Sequence, residues 1–284
     1  MLTDKQYNLV MKAALLILAL LVVICLILRI VLITSDKDEP EAPVSDSATD
    51  EPAGSESESE SSSQPIDSDS EPTDSSVILA PSADAGQEYI DKLIFIGDST
   101  THTLDAFGFV PETQIWTGET KTLSLYTNID QVLIVYPQTG EKMTIGQAAE
   151  LAKPEYIVIT LGLNGGVGDY FEERQFKAAY TKLINAIKSG SPETKIILQN
   201  IFPVSSLIDT GRYTKINNPN INTANGWILD IAQEMKLKYL DSREVLIDAA
   251  GDMKLEYSQP DGIHMQPAAA QAILNYIRTH AYPN

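Results

Sequence analysis

The sequence predicts an α/β protein whose folded part is a single domain of three layers (α/β/α), with a mostly parallel central sheet. Short apolar runs typical of buried strands recur in the second part of the chain, at residues 92–96, 131–136, 156–161 and 195–199, with a weaker run at 238–240. Between them lie stretches with apolar residues at three-to-four spacing, over 172–188, 223–236 and 266–279. Apolar strands that alternate with amphipathic helices favour a parallel sheet covered on both faces.

The negative charge is concentrated in one part of the chain. The 284 residues carry a formal net charge of −19. Residues 36–84 hold fifteen Asp and Glu against one Lys, a balance of −14, which leaves −5 for the rest. No basic patch accompanies this acidity, so we do not expect a nucleic-acid partner. The single cysteine, Cys25, excludes an intrachain disulfide and zinc sites built from several thiolates.

An apolar segment near the N-terminus predicts a transmembrane helix. Residues 13–34 form a run of about 22 residues, or roughly 33 Å of helix, which is enough to cross a bilayer core. Lys5 and Lys12 precede the run and acidic residues follow it. The positive-inside rule then places residues 1–12 in the cytoplasm and the rest of the chain outside the cell membrane.

Two other interpretations of this segment fit its sequence less well. A cleavable signal peptide would need a small-x-small cleavage site after the apolar run, and the sequence has none there. A lipoprotein would use Cys25, but Val23 and Ile24 before it are bulky and apolar residues continue after it. We therefore predict an uncleaved single-pass anchor.

The segment after the anchor predicts a linker. Residues 35–85 are mainly Ser, Asp, Glu and Pro. Such a composition buries too little apolar area to offset the entropy of ordering the chain, so we predict disorder. About 50 residues of flexible coil average roughly 40 Å from end to end. The linker would tether a folded domain, residues 86–284, to the membrane.

Chemistry-bearing residues follow two of the predicted strands and precede the last helix. Residues 97–99 (Gly-Asp-Ser) come directly after the first strand, and residues 162–164 (Gly-Leu-Asn) follow the strand at 156–161. Residues 261–264 (Asp-Gly-Ile-His) stand just before the final helix. Ligands of open α/β sheets bind outside the carboxyl ends of the strands. The sequence therefore predicts a site at this edge of the sheet.

Of the three histidines, His264 is the best candidate for a general base. Asp261 stands three residues earlier, with Gly262 between them to allow a tight turn, so its carboxylate can reach Nδ1 and leave Nε2 for a serine. Taken alone, the pair is equally consistent with a capping Asp beside a surface His. His280 lies near the C-terminus and is expected at the surface, and His102 is expected to be an ordinary helix residue.

Taken together and in this order, the three blocks resemble the SGNH (GDSL-like) hydrolase family, which is named for a Ser, a Gly, an Asn and a His in four separate blocks. The resemblance covers residues 91–279 and implies a flavodoxin-like fold. It implies that Ser99 is the nucleophile, His264 the base and Asp261 the residue that orients it.

The resemblance also implies an oxyanion hole. Its donors would be the Ser99 N–H, the Asn164 side-chain amide and the N–H of the second-block Gly. Gly118 is the candidate for that Gly because it follows a short β-like run, and Gly108 is the alternative. The long stretch from Gly118 to Leu151 predicts an extra strand pair with a turn at residues 138–141.

Other catalytic motifs are not found in the sequence. It has no G-x-S-x-G, Walker A or H-E-x-x-H pattern, and the glycines of 161–168 do not fall in the G-x-G-x-x-G register. An α/β-hydrolase elbow and a dinucleotide site are therefore not indicated. We expect neither a cofactor nor a metal.

The expected function is that of a serine esterase of the cell envelope. The partner would be an acylated carbohydrate or another small ester, and the leading expectation is hydrolysis of O-acetyl groups on cell-envelope carbohydrate. An O-acyltransferase, a lipid esterase or thioesterase, and a non-catalytic glycan-binding module stay open as alternatives. The oligomeric state does not follow from the sequence.

Overall fold

The computed structural model describes three stretches of the chain, residues 77–126, 134–169 and 171–283. The predicted cytoplasmic segment 1–12, the predicted anchor 13–34 and most of the predicted linker lie outside them. In the part that is described, none of the helices combines the length and the apolar character that a membrane span requires.

The described residues contain a main sheet, a small strand pair and seven α-helices. The strands are β1 (Leu93–Gly97), β2 (Ile115–Trp116), β3 (Ile134–Val135), β4 (Lys142–Met143), β5 (Tyr156–Thr160), β6 (Lys195–Gln199) and β7 (Lys238–Leu240). The helices are α1 (Gly86–Ile90), α2 (Ser99–Ala106), α3 (Ile145–Ala152), α4 (Glu173–Gly190), α5 (Asn218–Glu234), α6 (Arg243–Leu246) and α7 (Pro267–Thr279).

The main sheet has five parallel strands in the order β2-β1-β5-β6-β7. Counted within this sheet alone, the order is 2-1-3-4-5, which is the flavodoxin-like order. The predicted three-layer α/β/α fold with a mostly parallel sheet is therefore confirmed. β2 lies on one side of β1, and β5, β6 and β7 follow on the other side. The strand order therefore reverses between β1 and β5.

Alternation along the strands builds a core on each face of the sheet. Phe95 of β1 and Val158 of β5 face one side, where they pack with buried residues of α1, α2, α6 and α7. Ile96 and Ile159 face the other side, where they pack with buried residues of α3, α4 and α5. Successive strand residues point to opposite faces, so a strand covered by helices on both faces is apolar along its length.

The ordered domain begins before the predicted boundary at residue 86. Val77 and Leu79 are buried. They continue the sheet beside β7, since the Leu79 N–H donates to the Tyr239 carbonyl and the Tyr239 N–H donates to the Val77 carbonyl. Ser82 is tied to the end of α7 through the Thr279 carbonyl. The burial of Val77 and Leu79 therefore joins this segment to the folded domain.

Two further elements differ from the sequence prediction. The run at 131–136 was predicted as a strand of the main sheet, but β3 pairs antiparallel with β4 instead, and residues 131–133 lie outside the described stretches. The predicted extra strand pair is therefore confirmed, and β2 forms the edge of the main sheet. Helix α5 begins five residues earlier than predicted because Asn217 caps it and Pro219 fits its first turn.

Candidate active site

The predicted site lies at the reversal point of the main sheet. Gly97 at the end of β1 and Thr160 at the end of β5 are register partners. The chain segments that follow these two strands therefore emerge side by side, and they carry Ser99 and Asn164. A crevice outside the carboxyl ends of the strands at such a switch point is where open α/β sheets bind ligands.

Asp98 starts helix α2 at Ser99. It has extended backbone angles, and its carboxylate accepts the Thr100 N–H at 2.9 Å and the Thr100 hydroxyl at 2.6 Å. This is an N-cap, and it places Ser99 in the first turn, where the backbone N–H groups lack helical partners and favour negative charge. A Cβ on Gly97 would lie 1.9 Å from Thr101 Oγ1, so glycine lets the helix turn back onto the strand end.

The structure brings Ser99, His264 and Asp261 into one hydrogen-bonded line. His264 Nε2 lies 2.9 Å from Ser99 Oγ. His264 Nδ1 lies 2.6 Å from Asp261 Oδ2. A neutral imidazole that donates from Nδ1 to the carboxylate has Nε2 available to accept the serine proton. The line therefore joins a hydroxyl nucleophile, a base and an orienting carboxylate.

A tight turn holds His264 in place. Asp261 Oδ1 accepts the backbone N–H groups of Ile263 and His264, each at 2.9 Å. Gly262 has φ +77°, and a Cβ there would lie 2.3 Å from the Ile208 backbone nitrogen. The Gly262 carbonyl also accepts the Ser205 N–H at 2.9 Å. Glycine is thus required both by the backbone angle and by the close approach of the neighbouring segment.

The carboxylate of Asp261 is stabilised in its ionised form. Burial opposes its ionisation, but hydrogen bonds from the His264 ring and from the backbone N–H groups of His264 and Ile263 outweigh burial and lower the pKa of Asp261. The side chains of His264 and Asp261 remain 36% and 43% exposed. The ionised carboxylate therefore holds the imidazole at an open rim rather than in a closed cavity.

The pKa of Asp98 is shifted in the opposite direction from that of Asp261. It is 2% exposed, and burial raises the pKa of its carboxyl group. Hydrogen bonds from Thr100, the charge that His264 carries when it is protonated and the nearby Asn164 backbone N–H act in the other direction.

Asn164 is fixed at two points. Its carbonyl accepts the Leu125 N–H at 3.1 Å, and its side-chain Nδ2 donates to Thr122 Oγ1 at 3.1 Å. Gly162 and Gly165 flank it with φ of +122° and +79°. Because glycine adopts such angles readily, the chain can turn sharply on both sides of Asn164 and present it at the crevice.

The structure separates the two candidates for the second-block Gly. Gly108 lies exposed beyond the far end of the eight-residue helix α2, which is about 12 Å long, and its N–H donates to the Asp105 carbonyl. Gly118 follows β2, the strand beside β1, and its N–H donates to the Thr122 carbonyl at 3.3 Å. That distance is at the long end for an N–H···O bond. Gly118 therefore stays the candidate. Its N–H makes only a long hydrogen bond within its own loop.

The other two histidines do not join this line of contacts. His102 Nδ1 lies 2.6 Å from Asp105 Oδ1 on the same helix. His280 was expected at the surface, but it is buried because its ring stacks on Tyr276 with centroids 3.8 Å apart and Nδ1 lies 3.0 Å from the Tyr276 carbonyl. Thr122 is a contact of the site that the sequence did not reveal, since no motif marks it.

Comparison with known proteins shows the family. The sequence model of the GDSL-like lipase/acylhydrolase family matches residues 95–272, well over half of the chain. The chain belongs to the GDSL-like lipase/acylhydrolase family. The matched range includes Ser99, Asn164, Asp261 and His264. The protein is accordingly a carboxylic ester hydrolase.

Several solved structures are similar to this chain. A protein of Streptococcus pneumonia described as a platelet activating factor has a TM-score of 0.50 and 20% identity, over 67% of this chain and 84% of that one. A family two carbohydrate esterase from Clostridium thermocellum has a TM-score of 0.44 and 13% identity, over 66% and 61%. A Bacteroides fragilis protein described as an acylhydrolase has a TM-score of 0.43 and 14% identity, over 68% and 91%. A search of curated protein sequences finds no significant match.

Proposed function

We propose that this ester hydrolase is a membrane-anchored serine esterase that acts outside the cytoplasm and removes small O-acyl groups, chiefly O-acetyl groups, from carbohydrate of the cell envelope. The observation that carries the proposal is the line of contacts from Ser99 Oγ through the two ring nitrogens of His264 to Asp261, at 2.9 and 2.6 Å. This geometry supports nucleophilic catalysis by Ser99.

In the first half-reaction, Ser99 Oγ attacks the ester carbonyl carbon while His264 Nε2 takes the hydroxyl proton. Asp261 keeps Nδ1–H directed at its carboxylate and stabilises the imidazolium that forms. The Ser99 and Gly118 N–H groups and the Asn164 amide would hold the negative charge on the former carbonyl oxygen. Collapse of the tetrahedral intermediate breaks the ester bond, and the imidazolium gives its proton to the departing sugar oxygen, which leaves as a hydroxyl group.

In the second half-reaction, water attacks the acyl-Ser99 ester. His264 Nε2 removes a proton from the water and returns it to Ser99 Oγ as the carboxylic acid leaves. The products are the free sugar hydroxyl and one carboxylic acid for each ester cleaved, and the enzyme is restored. Both half-reactions use only groups of this chain and water.

Two observations support a carbohydrate polymer as the substrate. The side chains of His264 and Asp261 are 36% and 43% exposed, so an ester that projects from a bulky chain has access to them. The apolar run at 13–34, followed by an acidic linker, favours a location at the outer surface of the membrane, where envelope polymers lie. We propose acetyl as the acyl group because it is the smallest one that an ester at this open site could carry.

The test compares hydrolysis of p-nitrophenyl acetate by the full-length protein and by its Ser99→Ala variant. Ser189→Ala is the matched control, because Ser189 is exposed at the end of α4, before β6 begins, and so lies at the opposite edge of the sheet. We expect activity in the wild type and the control, and none above background in Ser99→Ala. Release of acetate from an O-acetylated polysaccharide then tests the substrate class.

Each other outcome favours a different function. Equal activity in Ser99→Ala would show that Ser99 is not the nucleophile. Acetyl transfer to an added sugar at the expense of free acetate would favour an O-acyltransferase. Faster turnover of long-chain esters than of acetyl esters would favour a lipid esterase. Binding of a glycan without any turnover would favour a non-catalytic module.

A further inference from the structure

Asn164 contacts a loop that takes no part in the hydrogen bonds that join Ser99, His264 and Asp261. This loop, residues 117–126, follows β2 and carries Gly118 near its start. Thr122, in its middle, contacts both proposed oxyanion donors. The Thr122 hydroxyl accepts the Asn164 side-chain amide at 3.1 Å, and the Thr122 carbonyl accepts the Gly118 N–H at 3.3 Å.

In the structure the side-chain amide of Asn164 turns its nitrogen toward the Thr122 hydroxyl. A carboxamide has two N–H donors on nitrogen and an acceptor oxygen on the opposite side. The hydroxyl of Thr122 accepts one of the two N–H groups, which leaves the second for another acceptor. If the amide rotated by half a turn, its oxygen would replace nitrogen and repel a developing oxyanion instead of stabilising it.

The loop is fixed where it meets Asn164. The Leu125 N–H donates to the Asn164 carbonyl at 3.1 Å. A Cβ on Gly165 would lie 2.2 Å from Ser124 Oγ, so the loop packs directly on the backbone beside Asn164. Thr122 is therefore placed against Asn164 by the contacts that residues 124 and 125 of the same loop make with Asn164 and Gly165.

Ion pairs attach the outer part of the same loop to the rest of the domain. Lys121 pairs with Glu112, which lies just before β2. Glu119 pairs with Lys142 of β4 at 2.8 Å. All four side chains are largely exposed, so these pairs contribute little to global stability. They connect the loop to the segment before β2 and to β4.

We propose that Thr122 is a positioning residue that orients the Asn164 amide so that its second N–H faces the oxyanion. This inference rests on the proposed function and adds a residue to its machinery. Preorganised donors stabilise a transition state because they need no reorientation when charge develops, so loss of the orienting contact lowers kcat while leaving the substrate contacts in place.

The test uses three substitutions at the loop in the full-length protein. Thr122→Val removes the acceptor and keeps the side-chain shape, Thr122→Ser keeps the hydroxyl, and Thr120→Val is the matched control at an exposed position of the same loop. We expect Thr122→Val to lower kcat by about 10- to 100-fold, within the loss that follows removal of an oxyanion donor, with KM changed less than about threefold. Thr122→Ser and Thr120→Val should stay close to wild type.

A double-mutant cycle distinguishes positioning from a general effect on structure. If Thr122 acts through Asn164, Thr122→Val should have no further effect on kcat in an Asn164→Ala background. The proposal is overturned if Thr122→Val lowers kcat equally in both backgrounds, if Thr122→Ser is as impaired as Thr122→Val, or if Thr122→Val retains wild-type kcat.

Ser99→Ala, measured in the same series, separates this inference from the proposed function. Loss of activity in Ser99→Ala with full activity in Thr122→Val overturns only the role of Thr122. Retained activity in Ser99→Ala overturns the serine mechanism and the positioning role with it.

Discussion

Asp261 binds His264 twice, once through the backbone and once through the ring. Its Oδ1 accepts the His264 backbone N–H at 2.9 Å, and its Oδ2 lies 2.6 Å from His264 Nδ1. One carboxylate thus shapes the turn and selects the tautomer of the base. The two functions can be separated, because an amide keeps one oxygen and replaces the other with a donor.

Asp261→Asn should therefore preserve the turn and abolish efficient catalysis. The remaining oxygen accepts the backbone N–H, while the new NH₂ group faces His264 Nδ1 and forces Nδ1 to be the acceptor. Nε2 then carries the proton and cannot take one from Ser99. We expect kcat to fall by up to about 10⁴-fold, as for loss of the orienting carboxylate in a serine protease.

The measurement is kcat for p-nitrophenyl acetate beside the midpoint of thermal unfolding. A variant that unfolds near the wild-type temperature and has lost its activity supports the tautomer role. Activity within about tenfold of wild type would mean that His264 reaches the correct tautomer without Asp261.

Much of the fold could be predicted because strand and helix periods differ. The strands β1, β5 and β6 are continuous apolar runs. Such a run followed by an amphipathic helix is typical of a parallel sheet that helices cover on both faces. The two-residue strand β2 was too short to show a period. The run at 131–136 was assigned to the wrong sheet, because apolar content alone does not distinguish a parallel partner from an antiparallel one.

The candidate site could be predicted where a motif fixes a local turn. Asp98-Ser99 and Asp261-Gly262 are such cases, since capping and positive φ constrain the residue types. Thr122 could not be predicted, because its contact with Asn164 depends on a loop that reaches another strand end. Nothing in the sequence around Thr122 indicates that approach.

Gly262→Ala should lower kcat as well as the free energy of unfolding. The added Cβ meets the Ile208 backbone at 2.3 Å, so the turn that carries His264 has to move. A displacement of about 1 Å of a catalytic group can lower kcat by about 10²-fold. Gly251→Ala is the control, because Gly251 also has a positive φ, +87°, but a Cβ there meets nothing within 4 Å.

Both glycine variants should lose about 1–2 kcal/mol of unfolding free energy from the left-handed backbone angle, and Gly262→Ala should lose more because its Cβ collides with the Ile208 backbone. Only Gly262→Ala should also lose kcat. Equal kcat values in the two variants would show that the turn absorbs the collision without moving His264. Urea unfolding and steady-state kinetics on the same preparations give both quantities.

Asn164→Ala should lower kcat by about 10²–10³-fold, the loss that follows removal of one oxyanion donor. KM should change little, because the amide acts on charge that develops after substrate binds. The Asn164 carbonyl that accepts the Leu125 N–H remains in the variant, so the fold should be retained. An unchanged kcat would exclude the Asn164 side chain from the oxyanion hole.

Asp98→Asn should gain stability relative to wild type as the pH rises. Burial raises the pKa of Asp98 in the folded protein, so its contribution to stability is present in acid and is lost as the pH rises through the folded pKa. An amide keeps the oxygen that caps α2 and never ionises.

Asp84→Asn is the control of opposite sign, since hydrogen bonding to Arg278 lowers the pKa of Asp84 and its contribution is lost only as the pH falls. Urea unfolding between about pH 3 and pH 7 should show the two differences from wild type changing in opposite directions, since both carboxyl groups have an unfolded-state pKa near 4. A pH-independent difference for Asp98→Asn would mean that Thr100 and Asn164 compensate fully for the burial of the carboxylate.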